Sequence, residues 1–305
     1  MTLKTAPRAL LASLFDAAVA AAQAERTVAA NLPDRPKGRT IVIGAGKGSA
    51  QMARAFEQAW DGPLQGVVVT RYGFGVPCER IEIIEAAHPV PDAAGLRATA
   101  RLFDAVAGLT EDDLVVALIS GGGSALLPAP PEGMTLDDEI AVNRALLASG
   151  APIAAMNTVR KHLSTVKGGR LAAAAFPARV VTLVISDIPG DNPALVASGP
   201  TVPDEASLDD ARAIVRQYNL ALPPAALRHL SLDAARAPSP GDPGFARNTV
   251  RIIASAAVSL DAAAAEARRQ GVDAVILSDA IEGEAREVAH VHAALAREVL
   301  TRNRP

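Results

Sequence analysis

Aromatic residues are scarce in this chain: Phe, Tyr and Trp together make up 3% of its 305 residues, although half of all residues are hydrophobic. The interior must therefore be built from Ala, Val, Leu and Ile, side chains that suit helices packed on both faces of a parallel sheet. Cysteine is nearly absent too. The single thiol, Cys78, excludes an internal disulfide and a zinc site made of several cysteines, and it fits a reducing compartment. Basic residues are not in excess either. The formal net charge of −3 argues against a nucleic-acid partner. No apolar run reaches the roughly 20 residues that a membrane-crossing helix needs.

The N-terminal stretch MTLKTAPRALLASLFDAAVAAAQAE has the short basic flank and the alanines of a secretion signal. However, Arg8 and Asp16 interrupt it, Glu25 closes it, and Leu10, Leu11, Leu14, Phe15 and Val19 fall on one helical stripe. It reads as the amphipathic first helix of a cytoplasmic protein.

What is abundant is alternation. TIVIG (40–44), GVVVT (66–70), IEIIEAA (81–87), DDLVVALIS (112–120) and ARVVTLVIS (178–186) read as strands. Helices are expected near 49–60, 92–109, 136–149, 151–173, 205–218 and 223–235. This order implies an α/β fold, a Rossmann-like three-layer domain with a parallel sheet. Right-handed crossovers then bring the post-strand loops to one edge, where open α/β sheets bind ligands. A linker rich in Pro and Gly at 237–248 divides the chain into residues 1–240 and 249–305. Beyond it, TVRIIAS (249–255), a helix at 258–270, DAVILSD (273–279) and a helix near 283–300 predict the start of a second, incomplete α/β domain.

Three post-strand loops carry unusual chemistry. GAGKGS (44–49) offers Gly44 and Gly46 of a dinucleotide fingerprint, but Ser49 stands where the third glycine belongs. It is no Walker A loop, since Lys47 is followed by Gly48. The loop still reads as a holder of anions, with Lys47 as a point charge unless it is simply a solvated lysine. SGGGSALL (120–127) sets Gly121, Gly122 and Gly123 after a buried strand, with Ser124 opening a helix. Glycines there let backbone N–H groups approach a phosphate; a tight turn without a ligand is the alternative. SDIPGDNP (186–193) puts Asp187 and Asp191 four apart across a Pro-Gly turn, so that both can reach one site. They could hold Mg2+, accept a hydroxyl proton, or only cap the turn.

Two further segments stand out. In NTVRKHLSTVKGGRLA (157–172), Arg160, Ser164 and Lys167 can share one helical face, as an anion site or as an ordinary basic surface. His162 reads as packed or solvated. HPVPD (88–92) and GPTVPD (199–204) both end in Val-Pro-Asp at an expected helix start, which makes Asp92 and Asp204 caps. His88 lies in a post-strand loop within reach of a substrate.

Taken together, IGAGKGSAQMA, HPVPD, LISGGGSALL, NTVRKHLSTVKGGRLA and SDIPGDNPALVASGPTVPD resemble the class II glycerate kinases. These are glycerate 2-kinases whose C-terminal part is called the MOFRL domain, and some carry the label hydroxypyruvate reductase. The likeness runs through most of residues 5–295, in the family's order. It implies ATP-dependent phosphorylation of D-glycerate to 2-phosphoglycerate with Mg2+, in a cleft between two α/β domains. On the matching positions it implies a substrate-binding Lys47, an acidic loop with Asp191, and a glycine loop at the nucleotide phosphates. Lys47 and Asp191 are accordingly assigned to catalysis, and Gly121, Gly122, Gly123 and Ser124 to ATP. Lys47 and Arg160 are assigned to the substrate, and Asp187 and Asp191 to the metal.

The family continues into a Gly-rich segment of the type GGETTV…GRGGRNQE, which this sequence does not contain. The resemblance therefore implies that 249–305 begins a truncated MOFRL domain, which could leave the chain inactive in this form. Two other readings remain. An NAD(P)-dependent hydroxypyruvate reductase would need an acid closing the second strand, where GVVVTRYG has none. A non-catalytic fragment would bind nucleotide without turnover. The partners expected are a small-molecule substrate, no nucleic acid and no membrane, with a homodimer as one allowed assembly.

Overall fold

Strands buried on both faces need apolar side chains pointing both ways, and six segments supply them. In the computed structural model, which describes residues 6–302, these are β1 (Thr40–Ala45), β2 (Gln65–Arg71), β3 (Ile81–Ala86), β4 (Leu114–Ser120), β5 (Arg179–Ile185) and β6 (Thr249–Ala254). The first five residues of the leading stretch and residues 303–305 lie outside the described residues. The strands form one parallel sheet in the order β3-β2-β1-β4-β5-β6.

The helices are α1 (Pro7–Ala22), α2 (Ala24–Ala29), α3 (Ser49–Ala59), α4 (Ala93–Val106), α5 (Gly123–Leu126) and α6 (Leu136–Ala148). They continue with α7 (Ile153–His162), α8 (Arg170–Ala174), α9 (Leu208–Gln217), α10 (Pro224–Ser231), α11 (Ala256–Arg269) and α12 (Ala285–Arg302). Alternate strand residues divide between two cores. Ile41, Ile43, Val67, Val115 and Ile119 meet Ala98, Leu102 and Val106 of α4 and Leu171 of α8. Val42, Val68, Val116 and Leu118 meet Val28 of α2 and Met52 and Phe56 of α3 on the other face. A third cluster joins Val142 and Leu146 of α6, Val159 of α7, Leu208 of α9 and Leu230 of α10. This helical layer is inserted in the crossovers that precede and follow β5.

The structure departs from the sequence reading in four places. Thr249–Ala254 does not open a fresh sheet; it pairs with β5 as the sixth strand of the first one. An unpaired β5 edge would leave a row of backbone groups without partners. DAVILSD forms no strand, and Val275 and Leu277 are 84% and 71% exposed. A strand needs a neighbour, and this run has none among the described residues. The helix expected at 151–173 breaks after His162, because Ser164 Oγ accepts the N–H groups of Val166 and Lys167, and Gly168 and Gly169 take φ of 65° and 84°. The stripe on α1 is only partly used: Leu10 is buried, while Leu11 and Phe15 stay exposed beside the packing of α1 on α11. Among the described residues no helix is long and apolar enough to cross a membrane.

Asp113 pins the N-terminal ends of β1 and β4. Its carboxylate accepts the backbone N–H of Arg39 at 2.6 Å, Arg39 Nη2 at 2.9 Å and the N–H of Thr110 at 2.8 Å. The Arg39 side chain, ahead of opposing burial and the backbone donors, holds this carboxyl well below the usual range. A depressed native pKa contributes stability above the unfolded value of about 3.9 and loses it as pH falls through the native value. Asp113→Asn is therefore expected to lower stability at neutral pH, with the gap to the parent narrowing below about pH 4 in a urea-unfolding series.

Candidate active site

The strand order reverses between β1 and β4, so the carboxyl ends of these two strands form the topological switch point. There the two glycine loops meet. Gly46 N–H donates to Val69 O, Lys47 N–H to Gly121 O, and Ser49 N–H to Gly46 O, at 3.1, 2.8 and 3.2 Å. Gly48 N–H donates to Ser120 Oγ at 3.0 Å, and Ser49 Oγ and Ser120 Oγ are 3.1 Å apart. A Cβ on Gly46 would stand 2.2 Å from Ser120 Oγ. All four amides of residues 46–49 thus have acceptors, which corrects the reading of this loop as an anion cradle. Its glycines let two loops touch, and its capacity for anions rests on the Lys47 side chain.

The loop after β4 is the reverse case. The N–H groups of Gly122, Gly123, Ser124 and Ala125 have no acceptor among the described residues. Lys47 Nζ lies 3.4 Å from Asp187 Oδ2, and the two side chains are 41% and 48% exposed. Such an open pair contributes no more than about 1 kcal/mol to stability, so holding the fold is not its main work. The Asp187 carboxylate rests on Gly121, where a Cβ would stand 1.7 Å from Oδ2. His88, just past β3, lies over Gly122 beside Lys47: a Cβ on Gly122 would stand 3.0 Å from His88 Nε2 and 3.1 Å from Lys47 Cγ. Partial burial, then Lys47 and Arg71, push its pKa down against the pull of Asp187, which keeps the ring neutral at neutral pH.

The other assigned residues stand differently. Asp191 occupies a left-handed turn with φ of 50°, and its carboxylate has no hydrogen bond or ion pair among the described residues. Arg160 on α7 does not touch Lys47. Its Nε donates to Asn143 Oδ1 at 2.8 Å and its Nη1 to Asn157 Oδ1 at 3.4 Å. Asn157 Oδ1 also accepts from Ser198 Oγ at 3.0 Å, and Ser198 Oγ is 2.7 Å from Ser124 Oγ. Arg160 therefore reaches the glycine loop only through Asn157 and Ser198.

The rest of the basic segment is structural. Lys167 Nζ donates to Leu127 O at 2.9 Å and Glu139 Oε1 at 2.8 Å, while Glu139 Oε2 accepts the Ala129 N–H at 3.0 Å. Breaking one partner of so buried a pair costs about 3–5 kcal/mol. Arg170 caps the carbonyls of Lys161, Lys167, Ala235 and Arg236. Lys161 is buried against Asp204, and burial pushes its pKa down to about 8. Asp204 is thus an ion-pair partner and not the expected cap, which Ser207 and Asp210 provide through a capping box. Asp92 does cap α4, accepting the Gly95 N–H at 3.0 Å and the Tyr72 hydroxyl at 2.8 Å. His162 is packed, with burial pushing its pKa down to about 4.

Sequence reasoning missed Ser120, Asn157 and Ser198. The last lies in a run of three left-handed residues, Ala197, Ser198 and Gly199, with φ of 54°, 60° and 58°. Each non-glycine member costs roughly 1–2 kcal/mol. The run is held by N–H bonds from Gly168 to Ser198 O, Gly169 to Gly199 O and Leu171 to Pro200 O, at 3.1, 2.7 and 3.0 Å. Nothing in the residue types of Ala197 and Ser198 announces this backbone.

A three-layer α/β fold with its loops gathered at the switch point is the class that this geometry defines. Residues 10–231 match the family described as Domain of unknown function (DUF4147). A protein of Agrobacterium vitis named "Putative hydroxypyruvate reductase" is 54% identical over 290 residues, covering 95% of this chain and 65% of that protein. A Thermotoga maritima protein named D-glycerate 2-kinase is 38% identical over 284 residues, covering 92% of this chain and 66% of that protein. The crystal structure of a glycerate kinase from Thermotoga maritima matches with a TM-score of 0.86 at 36% identity, over 97% of this chain and 70% of that one. The chain belongs to this glycerate kinase family, and it spans about two thirds of the length of these two relatives.

Gly121→Ala tests the seat of the acidic side chain. Stability is expected to change by less than about 1 kcal/mol, because the half-exposed Asp187 can swing aside. The Lys47–Asp187 pair should be broken. Chemical denaturation and the side-chain resonances of Lys47 and Asp187 check the two halves.

Proposed function

We propose that the site transfers the γ-phosphoryl group of ATP to the 2-hydroxyl of D-glycerate, giving 2-phosphoglycerate and ADP. The observation that carries this reading is the union, at one switch point, of uncommitted N–H groups at 122–125 with the Lys47–Asp187 pair. Phosphoryl transfer needs positioning and charge neutralisation more than covalent help from the protein. In this reading the loop amides bind nucleotide phosphate oxygens, and the Lys47 ammonium meets the anionic oxygens of the glycerate or of the group in transfer. A new P–O bond forms to the glycerate hydroxyl as the bond to ADP breaks, and the hydroxyl proton leaves to an acceptor at the acidic loop. Arg160, bonded to two asparagines, supports the loop from behind.

Mg2+ fits the donors at hand. No group of three or more His, Cys, Asp or Glu side chains gathers among the described residues, but this cation characteristically takes one or two carboxylates plus substrate phosphates and water. Asp187, resting on Gly121, is the residue that would hold it, with Asp191 as the second candidate. When bound, the ion neutralises charge on the transferred group.

Hydroxypyruvate reduction with NAD(P) is less well supported, whatever names relatives carry. A dinucleotide pyrophosphate uses the amides of the first glycine turn, and those of residues 46–49 have acceptors within the protein. The deciding experiment incubates the chain with D-glycerate and Mg-ATP and follows 2-phosphoglycerate, with NADH oxidation on hydroxypyruvate as the control. Phosphorylation is expected, with a loss of roughly 100-fold or more in kcat/KM for Lys47→Ala. NADH oxidation without phosphorylation, or full activity in Lys47→Ala, would sink the reading.

A further inference from the structure

The hydrogen bonds behind the post-β4 loop give the one proton of Ser198 an acceptor away from the loop. Asn157 turns Nδ2 toward Leu195 O at 3.5 Å and Oδ1 toward Arg160 Nη1 at 3.4 Å. A carbonyl on one side and an obligate donor on the other fix the orientation of that amide. Its Oδ1 also receives the Ser198 hydroxyl proton at 3.0 Å. A serine hydroxyl has only one proton, so Ser198 has none left for Ser124. With the Ser198 proton given to Asn157, Ser124 is the donor at the 2.7 Å contact between the two oxygens.

This changes what Ser124 can offer. Ser198 and Asn157 are 0% and 2% exposed, whereas Ser124 is only partly buried within the loop. Toward the open side its oxygen presents lone pairs alone. A phosphate oxygen would find no hydrogen there, although the neighbouring amides supply them. Asp187, at the other end of the same loop, is an acceptor as well. Lone pairs beside a phosphate suit a hard cation shared with that phosphate.

We propose that Ser198 is a positioning residue that fixes Ser124 as an acceptor-only ligand for the divalent cation accompanying a nucleotide phosphate. The proposal rests on the kinase reading of the loop. It also gives the left-handed backbone of Ser198 a purpose, since strain of this kind persists where the surrounding structure enforces it at a working site.

Ser198→Gly separates this role from folding, because glycine accepts a φ of 60° without strain while the hydroxyl is lost. Ser124→Ala removes the ligand itself. Calorimetry would measure ADP binding with and without Mn2+, and electron paramagnetic resonance would count bound Mn2+. In the parent chain, Mn2+ should tighten ADP binding. In Ser198→Gly the Ser124 proton is free to meet phosphate. Metal-free ADP should then bind as before or up to about threefold tighter, while the gain from Mn2+ falls about three- to tenfold. Ser124→Ala should lose the same gain without the tightening. Equal weakening of both forms in Ser198→Gly would make the residue a mere support and overturn the proposal. A Mn2+ gain absent from the parent, or untouched in both variants, would overturn it too and leave the kinase reading standing. A parent chain that binds no ADP would remove both.

Discussion

Gly46 and Ser120 approach so closely that a methyl group on the first would collide with the second, and the site is organised around that approach. Because the backbones at the ends of β1 and β4 can touch, Ser120 takes the Gly48 N–H and Lys47 gives its own N–H to Gly121. The first loop is thereby closed on itself and on its neighbour. What it projects is a single ammonium, held above the second loop, whose amides at 122–125 have no acceptor among the described residues. Two loops that look alike as strings of glycine do opposite work.

The helical layer inserted on either side of β5 supplies the back wall. Its charges face inward: Lys167 meets Glu139, Lys161 meets Asp204, and Arg170 gathers four carbonyls. These contacts fix where α7 stands, and α7 fixes Asn157 and Arg160. The geometry of the serine pair at the loop is therefore set by packing some distance from it. Buried pairs of this type are costly to break, which makes the wall rigid in comparison with the open Lys47–Asp187 pair.

Much of this was legible beforehand, for identifiable reasons. Periodicity revealed five strands and the parallel sheet, since Val- and Ile-rich runs between helices have few other uses. The convergence of Lys47, Gly121–Ser124 and Asp187 followed from the crossover rule alone. The fate of Thr249–Ala254 did not, because a linker rich in proline looks the same whether the next strand joins an old sheet or begins a new one. The basic segment misled for a similar reason. Lys167 read as part of an anion site or a basic surface, whereas Glu139, far away in sequence, draws it inward, as Asp204 does Lys161. The assignment of Arg160 to the substrate rests on its helical face and that of Asp191 on its spacing to Asp187 and the resemblance, and neither residue is brought into contact with Lys47.

The left-handed run at 197–199 sets a limit on exchange. A Cβ on Gly123 would lie 2.6 Å from the Ala197 methyl, so the space between the loop and the 197–199 turn holds one carbon and not two. That carbon sits on the residue with φ of 54°, the less comfortable place for it. Gly123→Ala collides with that methyl, and Ala197→Gly relieves the clash while leaving a tight 3.0 Å approach to Ala45 O. The double exchange would preserve the volume while moving the strain off the turn that carries Ser198.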